Sequence, residues 1–279
     1  MLNLVIAHPL YGVLYGCCAR GRSPCGTSTT ITYRTLEWNG VAIWVAYGPF
    51  KCGRGGHVAT LGAMKIAKAL TRLTGPETAP VFVLLHGWGS NEYDLPDLLN
   101  YCGAGSADYA SLQAPIAYGM GYTWFGAWAH EGVPEGESLD KQATEAAQAI
   151  DAWVAEHIPA TRPVVAMGFS QGGLLAAHLL RFNPKRYAAA VSCSGWLAPG
   201  SVAGDAELAS LKPPVFYGHG AADDIFPKAD VTAMGEFWHE HGTLTEQVYP
   251  GMAHSINMPE MRDIQRFLET NGFIRPQIW

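Results

Sequence analysis

The residues best placed for chemistry are Gly168-Phe169-Ser170-Gln171-Gly172, preceded by an apolar run at 163–167 and followed by a helix-like run at 174–182. Glycines at these two positions permit a sharp strand-to-helix turn that lifts the serine hydroxyl clear of a sheet. The turn also sets Ser170 at a helix N-terminus, where backbone N–H groups and the helix dipole favour a developing negative charge. A serine hydroxyl is a weak nucleophile at neutral pH and needs a neighbouring base, itself oriented by a carboxylate. Both follow downstream. Gly218-His219-Gly220-Ala221-Ala222-Asp223-Asp224-Ile225-Phe226-Pro227 comes after one strand-like run, and Pro250-Gly251-Met252-Ala253-His254-Ser255 after the next. On residue types alone the acid is Asp223 or Asp224 and the base His254 or His219. Residue types in this order predict acyl transfer through a serine.

These residues need a scaffold that brings separate loops to one edge. From residue 80 onward, strand-like runs (81–85, 109–114, 164–167, 188–193, 215–217, 245–249) alternate with helix-like ones (138–157, 174–182, 259–271). Such alternation predicts an α/β fold with a mainly parallel sheet flanked by helices. The helix at 138–157 is expected to be N-capped by Ser138 or a neighbour. The serine, acid and base segments each fall just past the C-terminal end of a strand, where open α/β sheets build their sites. So does His86-Gly87-Trp88-Gly89 after the apolar strand 81–85. Upstream, two β-rich runs around Asn39-Gly40 predict a β-hairpin over 30–47, and residues 61–73 show helical spacing with a basic, solvated face.

Four motifs in order carry a more specific resemblance: His-Gly-x-Gly after an apolar strand, Gly-Phe-Ser-Gln-Gly-Gly, His-Gly-x-x-Asp-x-x-x-Pro and Gly-Met-x-His-Ser. Over roughly residues 79–272 the chain resembles the phospholipase/carboxylesterase family, which includes bacterial carboxylesterases and acyl-protein thioesterases. The resemblance implies an α/β-hydrolase fold with Ser170 as nucleophile, Asp223 as acid and His254 as base. It implies an oxyanion hole from the backbone N–H groups of Trp88 and Gln171, and no metal or cofactor. One such donor contributes on the order of 3 kcal/mol to the transition state. The segment 122–125 matches a family segment near the site, so Trp124 is expected to bind substrate, with Trp196 and Phe226. Trp88, Phe125 and Trp128 belong to the same aromatic group, which points to an apolar acyl site, and the glycine- and aromatic-rich stretch 118–136 reads as a flap.

The expected activity is hydrolysis of short- to medium-chain carboxylic esters through an acyl-enzyme. Lysophospholipase or acyl-protein thioesterase activity would use the same residues with a longer acyl groove, and a non-catalytic binding module is the reading from another class. His239 and His241 form a His-x-His pair but stand among Glu236 and Glu240 at a helix end, as solvent-facing residues do. Glu92 and Asp94 are expected to cap or position the helix after the first motif.

The 279 residues carry a formal net charge of −6 with 15% charged residues, which argues against nucleic acid as a partner. Residues 1–75 hold eight Lys/Arg against the single Glu37, a net +7, leaving −13 on the rest. This shift marks the expected division into an N-terminal extension over 1–74, of unassigned function, and a catalytic domain over 75–279. The extension reads as a poorly ordered tail or as sequence ahead of a start at Met64. Its first 18 residues lack the basic start of a secretory signal and the clean length of a spanning helix. Cys17, Cys18, Cys25 and Cys52 lie in the extension, with no second Cys pair at zinc spacing, while Cys102 and Cys193 read as inert buried thiols. The expected setting is a reducing cytoplasm. The expected partner is a small-molecule ester, without nucleic acid or stable membrane insertion; homodimerisation is left open.

Overall fold

The computed structural model describes residues 32–38, 41–47, 64–125 and 137–276. The two β-rich runs around Asn39-Gly40 form strands β1 (Thr32–Trp38) and β2 (Val41–Tyr47), whose backbones pair antiparallel from Thr32↔Tyr47 to Trp38↔Val41. The register leaves two residues between them, the spacing that Asn-Gly serves best.

From residue 64 the order is β3 (Ala69–Arg72), β4 (Val81–Leu85), α1 (Leu98–Tyr101), β5 (Asp108–Leu112), β6 (Ile116–Tyr118), β7 (Gly121–Thr123), α2 (Glu137–His157), β8 (Val164–Phe169), α3 (Gln171–Phe182), β9 (Tyr187–Cys193), α4 (Asp205–Leu211), β10 (Pro214–Gly220), α5 (Lys228–His241), β11 (Thr243–Tyr249) and α6 (Met258–Thr270). Seven of these strands form one sheet in the order β11-β10-β9-β8-β4-β5-β3. All its pairings are parallel except β3 with β5.

Strands covered on both faces need apolar residues at every position, and β4 (VFVLL) is buried throughout. Alternation decides which residue serves which face. Val81, Val83, Leu85, Val164, Ala166 and Val215 pack with α2, α3 and α5, whereas Phe82, Leu84, Val165, Met167, Val191 and Phe216 pack with α1 and α6. The chain runs from β4 outward to β5 and then returns to β8 on the other side of β4. Strand order therefore reverses between β4 and β8, and the crevice beyond their C-terminal ends is where such sheets take ligands.

The helix expected over 61–73 is not what forms. Ala69–Arg72 is an edge strand, residues 64–68 are irregular, and 61–63 lie outside the described residues. Pairing with β5 gives the backbone its partners, and the Arg72 guanidinium donates to the carbonyl oxygens of Gly105 (2.7 Å) and Ala107. Tertiary pairing of this kind overrides a weak helical spacing. At the start of β5, Asp108 accepts from the Thr74 and Gly75 N–H groups and from Arg162 (2.7 Å), tying together the segments that enter β4, β5 and β8. Among the described residues no helix is long and apolar enough to cross a membrane.

Candidate active site

Ser170 stands between β8 and α3, at the N-cap of the helix, with φ 56° and ψ −117°, a conformation that side chains seldom adopt. Strain of this kind costs about 1–3 kcal/mol and persists where the surroundings over-determine it. Here the Ser170 N–H donates to the Cys193 carbonyl (2.9 Å), and the Ser170 carbonyl accepts the first turn of α3 from Leu174 N–H (3.0 Å). Only glycine fits beside it: a Cβ on Gly168 would strike the Gly172 carbonyl, and one on Gly172 the Leu85 carbonyl. The result is a hydroxyl raised at the head of a helix, with the Gln171 N–H next in line.

The structure brings together the three side chains expected from the motifs. His254 Nε2 lies 2.9 Å from Ser170 Oγ, and its Nδ1 lies 2.7 Å from Asp223 Oδ2. The other Asp223 oxygen accepts the Ile225 N–H at 3.0 Å, which fixes the orientation of the carboxylate. The loops after β10 and β11 are stitched to each other: Ala222 N–H donates to the Met252 carbonyl (2.9 Å) and Ala221 N–H to that of Tyr249 (3.0 Å). Phe169 and Phe226 flank the imidazole at ring distances of 4.9 and 5.2 Å. This order of contacts can move a proton from Ser170 to His254 and stabilise the resulting imidazolium against Asp223.

The first-motif loop is anchored to the β6–β7 hairpin. Gly89 N–H donates to the Tyr122 carbonyl (2.8 Å), Tyr122 N–H donates to the Ser90 carbonyl (2.7 Å), and the Trp88 ring leans on Tyr118 at 4.5 Å. The buried Gln171 side chain accepts from Trp124 N–H (3.2 Å) and lies 2.9 Å from the Thr123 hydroxyl, tying the hairpin to the head of α3. Trp88 follows β4 and Gln171 follows β8, the two strands that border the crevice.

The aromatic expectations divide. Trp196 and Phe226 stack at 4.0 Å and, with Phe226 against His254, form one wall behind the base. Trp124, as fully buried as Trp196, donates its indole N–H to the His86 carbonyl at 2.9 Å and so braces the first-motif loop from behind. Apolar area with one polar tip is suited to that role. Trp128 and most of the predicted flap lie outside the described residues, as does the Ser138 side chain.

The alternatives sit elsewhere. Asp224 is exposed. His219 stacks on Tyr217 and lies 3.2 Å from Glu246. His239 is exposed, and His241 bonds the Phe237 carbonyl of its own helix. Asp94 accepts from Ser90 Oγ (2.8 Å) rather than capping α1, and Glu92 is buried against Lys68. Three contributors were not anticipated: Phe169 against the imidazole, Thr123 on Gln171, and His86 beneath the first-motif loop. Phe169 and His86 stand inside recognised motifs, but their contacts with His254, Ala114 and Trp124 are long-range and leave no local signal.

The layered parallel sheet is that of α/β-hydrolases. A carboxylesterase from Bacillus cereus superposes with a TM-score of 0.61 at 21% identity, covering 73% of this chain and 94% of that one. The family described as Phospholipase/Carboxylesterase matches residues 71–272, and the chain belongs to that family. Acyl-protein thioesterase 1 of Eremothecium gossypii is 26% identical over 211 residues, covering 68% of this chain and 87% of the relative. The Saccharomyces cerevisiae protein of the same name is 29% identical over 110 residues; there the match covers 38% of this chain and about half of the relative, 48%.

Proposed function

We propose that this chain is a serine carboxylesterase of short- to medium-chain esters. The observation that carries the reading is the continuous relay Ser170 Oγ–His254–Asp223, at 2.9 and 2.7 Å, on a strained serine at a helix head. His254 takes the hydroxyl proton as Ser170 attacks the ester carbonyl. The oxyanion rests on the N–H groups of Trp88 and Gln171, His254 returns the proton to the leaving alcohol, and water then resolves the acyl-enzyme through the same base. Asp223 keeps the imidazole in the tautomer this requires. The family membership supports the reaction class.

The catalytic unit comprises 75–279 together with the edge strand β3 (Ala69–Arg72), which pairs with β5 in its sheet, so the boundary expected at 74/75 falls inside the unit; the extension ahead of it has no assigned role. Buried free thiols at Cys102 and Cys193 favour a reducing, cytoplasmic setting. A second reading, hydrolysis of thioesters on acylated proteins, is favoured by the names of the fungal relatives and needs no change in the roles above.

Hydrolysis of p-nitrophenyl esters from acetate to palmitate, with Ser170→Ala as control, tests the assignment. Serine-dependent turnover with its maximum at short chains is expected. Activity confined to long chains would move the assignment to lipid or acyl-protein substrates, and full activity in Ser170→Ala would remove it.

A further inference from the structure

His86 lies at the C-terminal end of β4 with no exposed surface, and both of its ring nitrogens are engaged. A backbone N–H can only donate, so the bond from Ala114 N–H to Nε2 (3.1 Å) makes Nε2 the acceptor. The ring proton is then on Nδ1, which donates to the Gly87 carbonyl at 2.7 Å. That carbonyl also receives Ser90 N–H at 3.2 Å, and the carbonyl of His86 itself is held by the Trp124 indole at 2.9 Å. In a planar trans peptide the C=O of one residue and the N–H of the next point in opposite directions. Clamping the Gly87 oxygen on the buried side therefore aims the Trp88 N–H to the other side.

We propose that His86 is a positioning residue for the oxyanion, holding the Gly87–Trp88 peptide so that the Trp88 N–H faces the carbonyl attacked by Ser170. The inference rests on the esterase reading above. It gives the buried histidine a role that packing alone does not require, because a hydrocarbon of similar volume would fill the space without orienting the peptide. Burial lowers the His86 pKa to about 4, against the opposing pull of the Gly87 carbonyl and of nearby Glu92, so the ring stays neutral and its tautomer is unambiguous at working pH.

Three variants separate clamp from filler. His86→Asn offers an amide N–H near the place of Nδ1 but nothing to Ala114; His86→Gln offers an oxygen near Nε2 but no donor to Gly87; His86→Leu offers neither. With a short p-nitrophenyl ester, kcat is expected to fall roughly tenfold to a few hundredfold in the Gln and Leu variants. KM should stay nearly constant, since an oxyanion contact is made in the transition state, and His86→Asn should recover most of kcat. An Asn variant as impaired as the Gln variant, or kcat unchanged in a folded Leu variant, overturns the proposal. Ser170-dependent turnover of the parent enzyme in the same assay keeps that result separate from failure of the esterase reading. Should the variants not fold, imidazole ¹⁵N spectra of the full chain decide: an Nδ1–H ring that takes no second proton above about pH 5 supports the clamp. An Nε2–H tautomer or an ordinary titration overturns it.

Discussion

At the scale of single residues, the account stands on which of two adjacent aspartates faces the imidazole. Asp223 is 2.7 Å from His254 Nδ1, and Asp224 is exposed one residue on. Asp223→Asn should leave the fold intact and lower kcat on the order of 10³–10⁴-fold, because the amide stabilises the wrong tautomer. Asp224→Asn should leave kcat within about twofold of the parent, as surface changes away from a site do. Steady-state kinetics of the two variants side by side checks both. The juxtaposition of Ser170, His254 and Asp223 was legible in the sequence because each sits in a short motif whose spacing is local. The bracing contact of Trp124 was not legible, because it depends on the His86 carbonyl, 38 residues away, and no spacing reports it.

The elements are where sequence reading was strongest and also where it failed. Continuous apolar runs such as Val81–Leu85 announce a doubly covered parallel strand on their own. The edge strand Ala69–Arg72 does not, since its stability comes from β5 and from carbonyls that receive Arg72. The turn joining β8 to α3 has no slack: a methyl at position 172 would enter the Leu85 carbonyl. Gly172→Ala should lower stability by about 3 kcal/mol, read as a shift in the urea midpoint, and reduce activity with it. At the opposite end of the sheet, Arg162 and Asp108 form a buried pair (2.7 Å) that fastens three strand entries. Arg162→Leu leaves an unpaired buried carboxylate and should cost about 3–5 kcal/mol, measured the same way, with kcat of the folded fraction unchanged.

Across the whole molecule, three buried titratable groups shape stability against pH. Burial raises the Glu260 carboxyl to about 8, and burial lowers His86 to about 4 and His178, with Arg181 nearby, to about 3. Between the ordinary histidine value of 6.5 and the lowered ones, the unfolded chain binds protons that the folded one refuses, so the histidines make stability rise with pH and the gain is complete by 6.5. Glu260 acts oppositely. From its ordinary 4.5 up to about 8 the folded state holds a proton the unfolded chain has released, so stability falls as pH rises. Two rising contributions outweigh one falling contribution below 6.5, and only the falling one remains above it, which places the maximum near pH 6.5. Urea unfolding from pH 4 to 9 should show that maximum. Glu260→Gln should remove the alkaline decline, a slope of about 1.4 kcal/mol per pH unit. An unchanged decline in the variant would contradict the assignment. None of this could be read from the sequence, where Glu260 is one polar residue on an amphipathic helix.

The most direct test of the central claim is stoichiometric labelling by a fluorophosphonate probe, followed by peptide mapping and residual esterase activity in the same sample. The account predicts one adduct per chain, on Ser170, with activity lost in proportion to labelling. An adduct elsewhere, or ester hydrolysis that survives full modification of Ser170, would contradict it.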